Sequence, residues 1–350
     1  MSSKLGIHIN DWMLGVIEWV IQYQPAWIKV LDHQGDSVRA CLDGSPESQF
    51  IGRMHKTPSE QNDLIAAKES GAEQFFRELE ARGTWNLIKI WEGLNEIGPH
   101  PTADHYRFCV RLADLLAAAG KDYAYGNWSV GCPEISDWQS EWMLEPIRRA
   151  AYIAVHEYCA PSMDAEFIIH ANDPDIQPEV GGYFTLRYRK WYPTLPPDCQ
   201  KPILITECGI DSGAAHWKPG SQGGWQSFTD VKGYMAQLAW YDGFLQEDDE
   251  VAGATPFCWS VHDPTFETFS LWEPPEAREA FAAYIISQQD GGNGGDWAYE
   301  MRKLLEQNLR LGQELLNLFM NPPPVPPVPE AVALIEQGQD TITEGVALLK

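Results

Sequence analysis

Asn86-Leu-Ile-Lys-Ile-Trp91-Glu92-Gly-Leu-Asn95-Glu96 opens as a short apolar run and ends in a glycine, an amide and a carboxylate. Runs of this kind are the mark of a strand buried on both faces, as in parallel sheets. The Asn95-Glu96 pair then falls just past the strand's C-terminal edge. Pro202-Ile-Leu-Ile-Thr206-Glu207-Cys-Gly209 has the same build: Ile-Leu-Ile ends in a carboxylate, with Gly209 two residues behind it. Two strands that each hand one glutamate to the same rim make a paired-carboxylate site.

Outward from these runs, strand-like and helix-like segments alternate. Leu5–Ile9, Ala26–Leu31 and Ser48–Arg53 read as the first three strands and the Asn86 stretch as the fourth. Asp122–Asn127, Tyr152–Tyr158, Pro202–Thr206 and Ala252–Trp259 complete a set of eight. Helical periodicity covers Leu14–Tyr23, Ser59–Arg82, Ala103–Ala119, Glu141–Ala150, Asp230–Leu245 and Pro275–Gln288. Eight strands, most followed by a helix, predict an α/β fold of the (β/α)8 TIM-barrel type over residues 1–289.

A C-terminal helical extension is expected beyond the barrel. Residues 290–296, Asp290-Gly-Gly-Asn-Gly-Gly-Asp296, read as a linker; no Lys-Ser/Thr follows the glycines, so they are no phosphate loop. Residues 297–320 read as an amphipathic helix, 321–329 as a Pro-rich spacer and 330–350 as a short helix. Trp297, Met301, Leu304, Asn308, Leu311, Leu315 and Leu318 follow an a/d spacing with one polar position. Such a seam serves self-association into a homo-oligomer, or packs on its own chain.

Composition narrows the ligand. The 350-residue chain carries 50 acidic against 25 basic residues, a net charge of −25, which repels nucleic acid and anionic membranes. Neutral ligands are favoured. The seven cysteines show no zinc spacing, and Cys159, Cys208 and Cys258 fall in or beside apolar strands as small buried hydrophobes. His156-Glu157 has Ala160 where a zincin has its second histidine, so no metal or cofactor is expected. No Gly-x-Ser-x-Gly elbow is present. The N-terminus shows no apolar export segment and no run reaches transmembrane length, which predicts an unexported chain unless a leader has been trimmed.

Glycosidic hydrolysis needs one acid to protonate the leaving oxygen and one carboxylate to attack or to activate water. Trp91-x-x-x-Asn95-Glu96 and Ile205-Thr206-Glu207-Cys-Gly209 resemble the strand-four and strand-seven motifs of glycoside hydrolase clan A. That clan holds the retaining (β/α)8 cellulases, mannanases, xylanases and β-xylosidases. The resemblance implies that Glu96 is the general acid/base, Glu207 the nucleophile and Asn95 a ligand of the sugar 2-hydroxyl. His156-x-Tyr158 resembles the clan's strand-six pair, whose tyrosine contacts the nucleophile. Trp259 resembles the tryptophan flooring the subsite beside the cleaved bond, and Arg53 the arginine placed near the nucleophile. Ile97 departs from the pattern, since many relatives have proline there. The resemblance covers roughly residues 5–289.

Three other positions end strands and could line a pocket: His8 and Asn10 after the first, Asp32 after the second. Tryptophans cluster after strand ends, among them Trp128, Trp138, Trp142, Trp191, Trp217, Trp225 and Trp272. Indole faces stack on pyranose rings while the N–H serves a hydroxyl, so Trp128, Trp217 and Trp225 are candidate subsites; loop and core packing is the competing role. The reading is a retaining β-glycoside hydrolase, endo-acting on a neutral β-linked oligo- or polysaccharide. A catalytically silent carbohydrate-binding barrel, an exo-acting β-glycosidase and a lyase using the same carboxylates are the alternatives.

Overall fold

Eight strands run parallel and in chain order in one sheet: β1 (Ile7–Ile9), β2 (Trp27–Leu31), β3 (Gln49–Arg53), β4 (Ile90–Glu92), β5 (Asp122–Trp128), β6 (Tyr152–Cys159), β7 (Ile203–Ile210) and β8 (Val251–Pro256). The computed structural model describes residues 3–31, 34–214 and 223–289. Parallel bridges from Leu5 to Ala254 and from Ile9 to Ser260 bring the first strand's flanks back to the last, closing the (β/α)8 barrel. Helices α1 (Val16–Tyr23), α2 (Gly35–Gly44), α3 (Pro58–Ala66), α4 (Lys68–Glu80) and α5 (Ala103–Ala118) follow the first four strands. The second half adds α6 (Glu141–Arg149), the short α7 (Ala165–Ile169) and α8 (Tyr188–Trp191), then α9 (Val231–Glu247) and α10 (Pro275–Gln289). Among the described residues, no helix is long and apolar enough to cross a membrane. The segments expected beyond 289 lie outside the described residues.

The barrel interior is layered. Its lower layer is apolar: Ile51, Ile90, Ala124, Ala154 and Leu204, one residue from each of five strands. Trp27 and Tyr152 pack against that layer, their rings edge to face at 6.2 Å. Room for the indole comes from Gly253, where a Cβ would sit 2.2 Å from the Trp27 ring. One pleat higher the inward residues change character to His8, Lys29, Arg53, Glu92, His156 and Glu207, all buried. These charged and polar groups form one stratum of the barrel, at the strands' C-terminal ends, where barrel enzymes carry their sites.

Several boundaries differ from the sequence expectation. Strand four is only Ile90–Glu92, because Asn86–Ile88 lie in a turn where Leu87 and Ile88 both donate to the Thr84 carbonyl. The helix expected over Ser59–Arg82 is two, broken where Lys68 takes a left-handed φ of +55°. Its start is well specified: Thr57 and Glu60 form a capping box and Pro58 begins the helix. Helix α2 was not anticipated; only Val38 and Cys41 are buried on it, too thin a stripe to register as periodicity. The eighth strand stops at Pro256, short of Trp259.

The long connection after β6 is held down by two buried carboxylates. Glu166 accepts from the backbone N–H groups of Tyr183, Phe184 and Thr185, and Glu157 from those of Leu186 and Arg187. Tyr241 on α9 also donates to Glu157, at 2.6 Å. Burial pushes the Glu157 carboxyl up to about 7, against the pull of Tyr241 and the two backbone donors. A folded-state pKa above the unfolded value contributes stability that is complete below the unfolded pKa and lost as pH rises through the folded one. The Tm should accordingly fall between about pH 5 and about pH 8, and Glu157→Gln, which cannot titrate, should flatten that part of the Tm–pH curve. An unchanged slope in the variant would remove Glu157 as its source.

Candidate active site

Glu207 sits on β7 and is 7% exposed. Three strands supply its partners. Tyr158 of β6 donates its hydroxyl to Oε2 at 2.9 Å, and Lys29 of β2 donates to Oε1 at 3.1 Å. Arg53 of β3 donates Nη1 to the same Oε1, and His156 Nδ1 lies 3.6 Å from Oε2. Burial opposes ionisation of this carboxyl, but the charges of His156, Lys29 and Arg53 outweigh it and hold Glu207 well below the usual carboxylate range. Glu207 is an ionised carboxylate with both oxygens fixed. Two residues on, Gly209 has φ +143° and comes so near the Tyr234 hydroxyl that a Cβ would lie 2.7 Å from it.

Glu96 lies on the bend after β4 and is the exposed member of the pair, with 38% of its side chain accessible. Its backbone takes a left-handed φ of +51°, held by its own N–H donating to the Asn127 carbonyl at 2.9 Å. Backbone strain of this kind gathers at functional sites, and here it turns the side chain towards His156. Glu96 Oε1 and His156 Nδ1 share a hydrogen bond of 2.9 Å. One oxygen of Glu96, one of Glu207 and a His156 ring nitrogen all lie within 4.8 Å of one another. Asn95 is fixed from two sides: its N–H donates to Gln61 at 2.6 Å, and its Oδ1 accepts from Arg53 Nη1 at 2.7 Å.

A cleft of about 630 Å³ opens beside Glu96 and Asn95. Arg53, Asn10 and Gln61 line its polar side, Phe257 and Phe266 its apolar side. Seven of the residues expected from sequence thus converge or lie adjacent: Glu96, Glu207, Asn95, His156, Tyr158, Arg53 and His8. His8 is wholly buried, 5.1 Å ring to ring from Phe257, with neither ring nitrogen hydrogen-bonded among the described residues. Burial and the Lys29 ammonium hold its imidazole well below the ordinary value, so the ring is neutral.

Three expected aromatic subsites are elsewhere. Trp259 is fully buried against Trp19 of α1, at 4.2 Å, and Phe281 of α10, at 5.5 Å. It faces the helix layer, and Phe257 is the strand-eight aromatic that reaches the cleft. Trp128 is fully buried, edge-on to His105 of α5. Trp225 stacks on Tyr234 at 4.9 Å and donates its indole N–H to the Phe269 carbonyl. Trp217 and Asp32 lie outside the described residues. Lys29, Glu92 and Phe257 belong to the site and were not anticipated. Lys29, set between Ile28 and Val30 on an apolar strand, carried a signal: a lysine with no polar face to turn to must have a buried partner.

No known family model matches the chain, and no curated protein matches it in sequence. Solved structures do. An endo-β-1,3-glucanase of Amycolatopsis mediterranei, solved with laminarihexaose, is 13% identical, with a TM-score of 0.51 over 81% of this chain and 99% of that one. A β-glucuronidase of Ruminococcus gnavus is 12% identical, with a TM-score of 0.52 over 81% of this chain; the match spans 49% of the enzyme. The chain therefore shares the (β/α)8 barrel fold with these two enzymes.

The placement of Trp259 has a direct consequence. Trp259→Ala empties a core position between α1 and α10 and should cost about 3–5 kcal/mol of stability, read as a lower denaturant midpoint. Retention of the wild-type midpoint would show that the indole is not a core group.

Proposed function

We propose that the protein is a retaining β-glycoside hydrolase, with Glu207 as nucleophile and Glu96 as general acid/base. One observation carries the reading: an ionised, rigidly held carboxylate on β7 faces a solvent-accessible one after β4, with their nearest oxygens within 4.8 Å. A nearest-oxygen distance of that size fits the roughly 5–5.5 Å carboxyl separation of retaining pairs. In the first step a Glu207 oxygen attacks the anomeric carbon. The bond to the leaving oxygen breaks as Glu96 gives that oxygen its proton. In the second, Glu96 takes a proton from water, whose oxygen attacks the anomeric carbon and frees Glu207 as carboxylate. The difference in exposure suits the division of labour, since the acid/base must meet water and the nucleophile must not.

The remaining residues act on position. Arg53 and Tyr158 fix the two oxygens of Glu207 and still leave lone pairs free to attack. Because Arg53 also occupies Asn95 Oδ1, the Asn95 amide N–H groups remain to donate to a sugar hydroxyl such as the 2-hydroxyl. Phe257 and Phe266 offer apolar faces to a pyranose. The cleft volume lies within the range that holds ligands of more than one ring, which favours an oligo- or polysaccharide. The net charge of −25 favours a neutral glycan. Laminari-oligosaccharides, which the Amycolatopsis barrel binds, are the first to test. Glu96, His156 and Glu207 could together offer three donor atoms to a cation, but Lys29 and Arg53 already neutralise Glu207.

The sugar released first should keep the β configuration, followed by NMR of the anomeric proton; an α product would overturn the assignment of Glu207. Glu207→Gly should lose nearly all activity and regain turnover with azide, giving a glycosyl azide of inverted configuration. Glu96→Ala with azide should give the retained one. Phe257→Ala should lower kcat/KM on oligosaccharides by about tenfold or more, the order expected for one lost stacking platform. Chelators should leave the rate unchanged, and a loss restored by added metal would show that a cation takes part.

A further inference from the structure

The displacement as drawn uses neither Lys29 nor Glu92, yet both are fully buried at the centre of the charged stratum. Lys29 Nζ lies 3.1 Å from Glu207 Oε1 and 3.2 Å from Glu92 Oε2. One ammonium is thus divided between two carboxylates carried by β4 and β7. We propose that Lys29 is a positioning residue that keeps Glu207 ionised and aimed, and that Glu92 sets how much of Lys29's charge Glu207 receives. This rests on the reading of Glu207 as nucleophile.

The groups facing Glu207 separate the role of Lys29 from those of its neighbours. His8 on β1 is neutral. Arg53 on β3 is shared with Asn95, and His156 on β6 with Glu96, so both are tied to groups at the rim. Tyr158 donates a hydrogen bond but brings no charge. Glu96 faces Glu207 from the solvent side as the proton carrier of the reaction, and past β7 lies Asp211, whose carboxyl burial pushes up. Past β8 the buried thiol of Cys258 feels the charge of Glu207 and is itself uncharged, pushed up first by burial. Lys29 is the cation of this set whose partners are both buried carboxylates, below the rim.

Charge bookkeeping gives Glu92 its purpose. Before reaction, Lys29 and Arg53 balance Glu92 and Glu207. When Glu207 becomes an ester its negative charge is gone, and a buried ammonium with no other partner would be left uncompensated at high cost. Glu92 keeps Lys29 paired through that intermediate. The positive charge no longer matched by Glu207 then rests on Arg53, which reaches from Glu207 to Asn95 at the rim.

The test is kcat/KM against pH, whose acidic limb reports the free enzyme's nucleophile. Lys29→Met alone strands two buried carboxylates, so the charge-neutral double variant Lys29→Met/Glu92→Gln is used, with its unfolding transition as the fold control. Its acidic limb should move up by about one to three pH units, the usual effect of removing an opposite charge at this range. Glu92→Gln alone leaves Lys29 undivided, so its limb should move down or hold. A double variant that folds and keeps the wild-type limb overturns the proposal. So does a Glu92→Gln limb that moves up, a readout that stands even if the double variant fails to fold. Wild-type protein inert on aryl β-glycosides and glucans would instead overturn the function proposed for Glu207.

Discussion

A carboxylate kept ionised inside a barrel must have cations buried with it. Desolvating a single charge costs several kcal/mol, and the cost is met only when the counter-charge and hydrogen bonds come from fixed neighbours. Glu207 meets that condition through Lys29, Arg53 and Tyr158, and Lys29 in turn through Glu92. These groups sit on β2, β3, β4, β6 and β7, so no two adjacent segments of chain can assemble them. The parallel register of the sheet brings them to one level. Fold and site are here the same arrangement: the closed barrel aligns the charges, and the paired charges tolerate no shift in register.

The aromatic residues divide in a way the composition conceals. Trp19, Trp259, Trp272 and Phe281 form one contact series, and Trp138 lies flat on Trp191 with ring centroids 3.7 Å apart. These pairs carry the packing of loops and helices against the barrel. The cleft wall is built of phenylalanines, Phe257 and Phe266. A protein rich in tryptophan has spent most of it on structure.

What could be read from sequence followed the strength of each local signal. The strands were legible as apolar runs, and the two glutamates, Asn95, His156 and Tyr158 because each sits at a fixed offset from a strand end. Arg53 was legible for the same reason. Trp259 misled because counting from the strand cannot register the path of the chain past Pro256, where Phe257 and Trp259 go to opposite sides. The break at Lys68 depends on one left-handed residue that helical periodicity ignores. Lys29 and Glu92 were missed because each resembles a solvated residue until its apolar neighbours are weighed. Their pairing joins strands far apart in sequence and becomes visible only when the barrel closes.

The apolar layer beneath the charged one makes the barrel a blind-ended vessel. Ile51, Ile90, Leu204 and the rings of Trp27 and Tyr152 fill its lower interior, so water has no route to Glu207 from below. Among the described residues, the cleft beside Glu96 is the opening that leads towards the nucleophile. In the chemistry proposed above, the departing half of the substrate and the incoming water must therefore use one doorway in turn. An acceptor sugar that lingers there stands where the water has to arrive, and the partition between hydrolysis and transfer to another sugar becomes a matter of traffic at that opening.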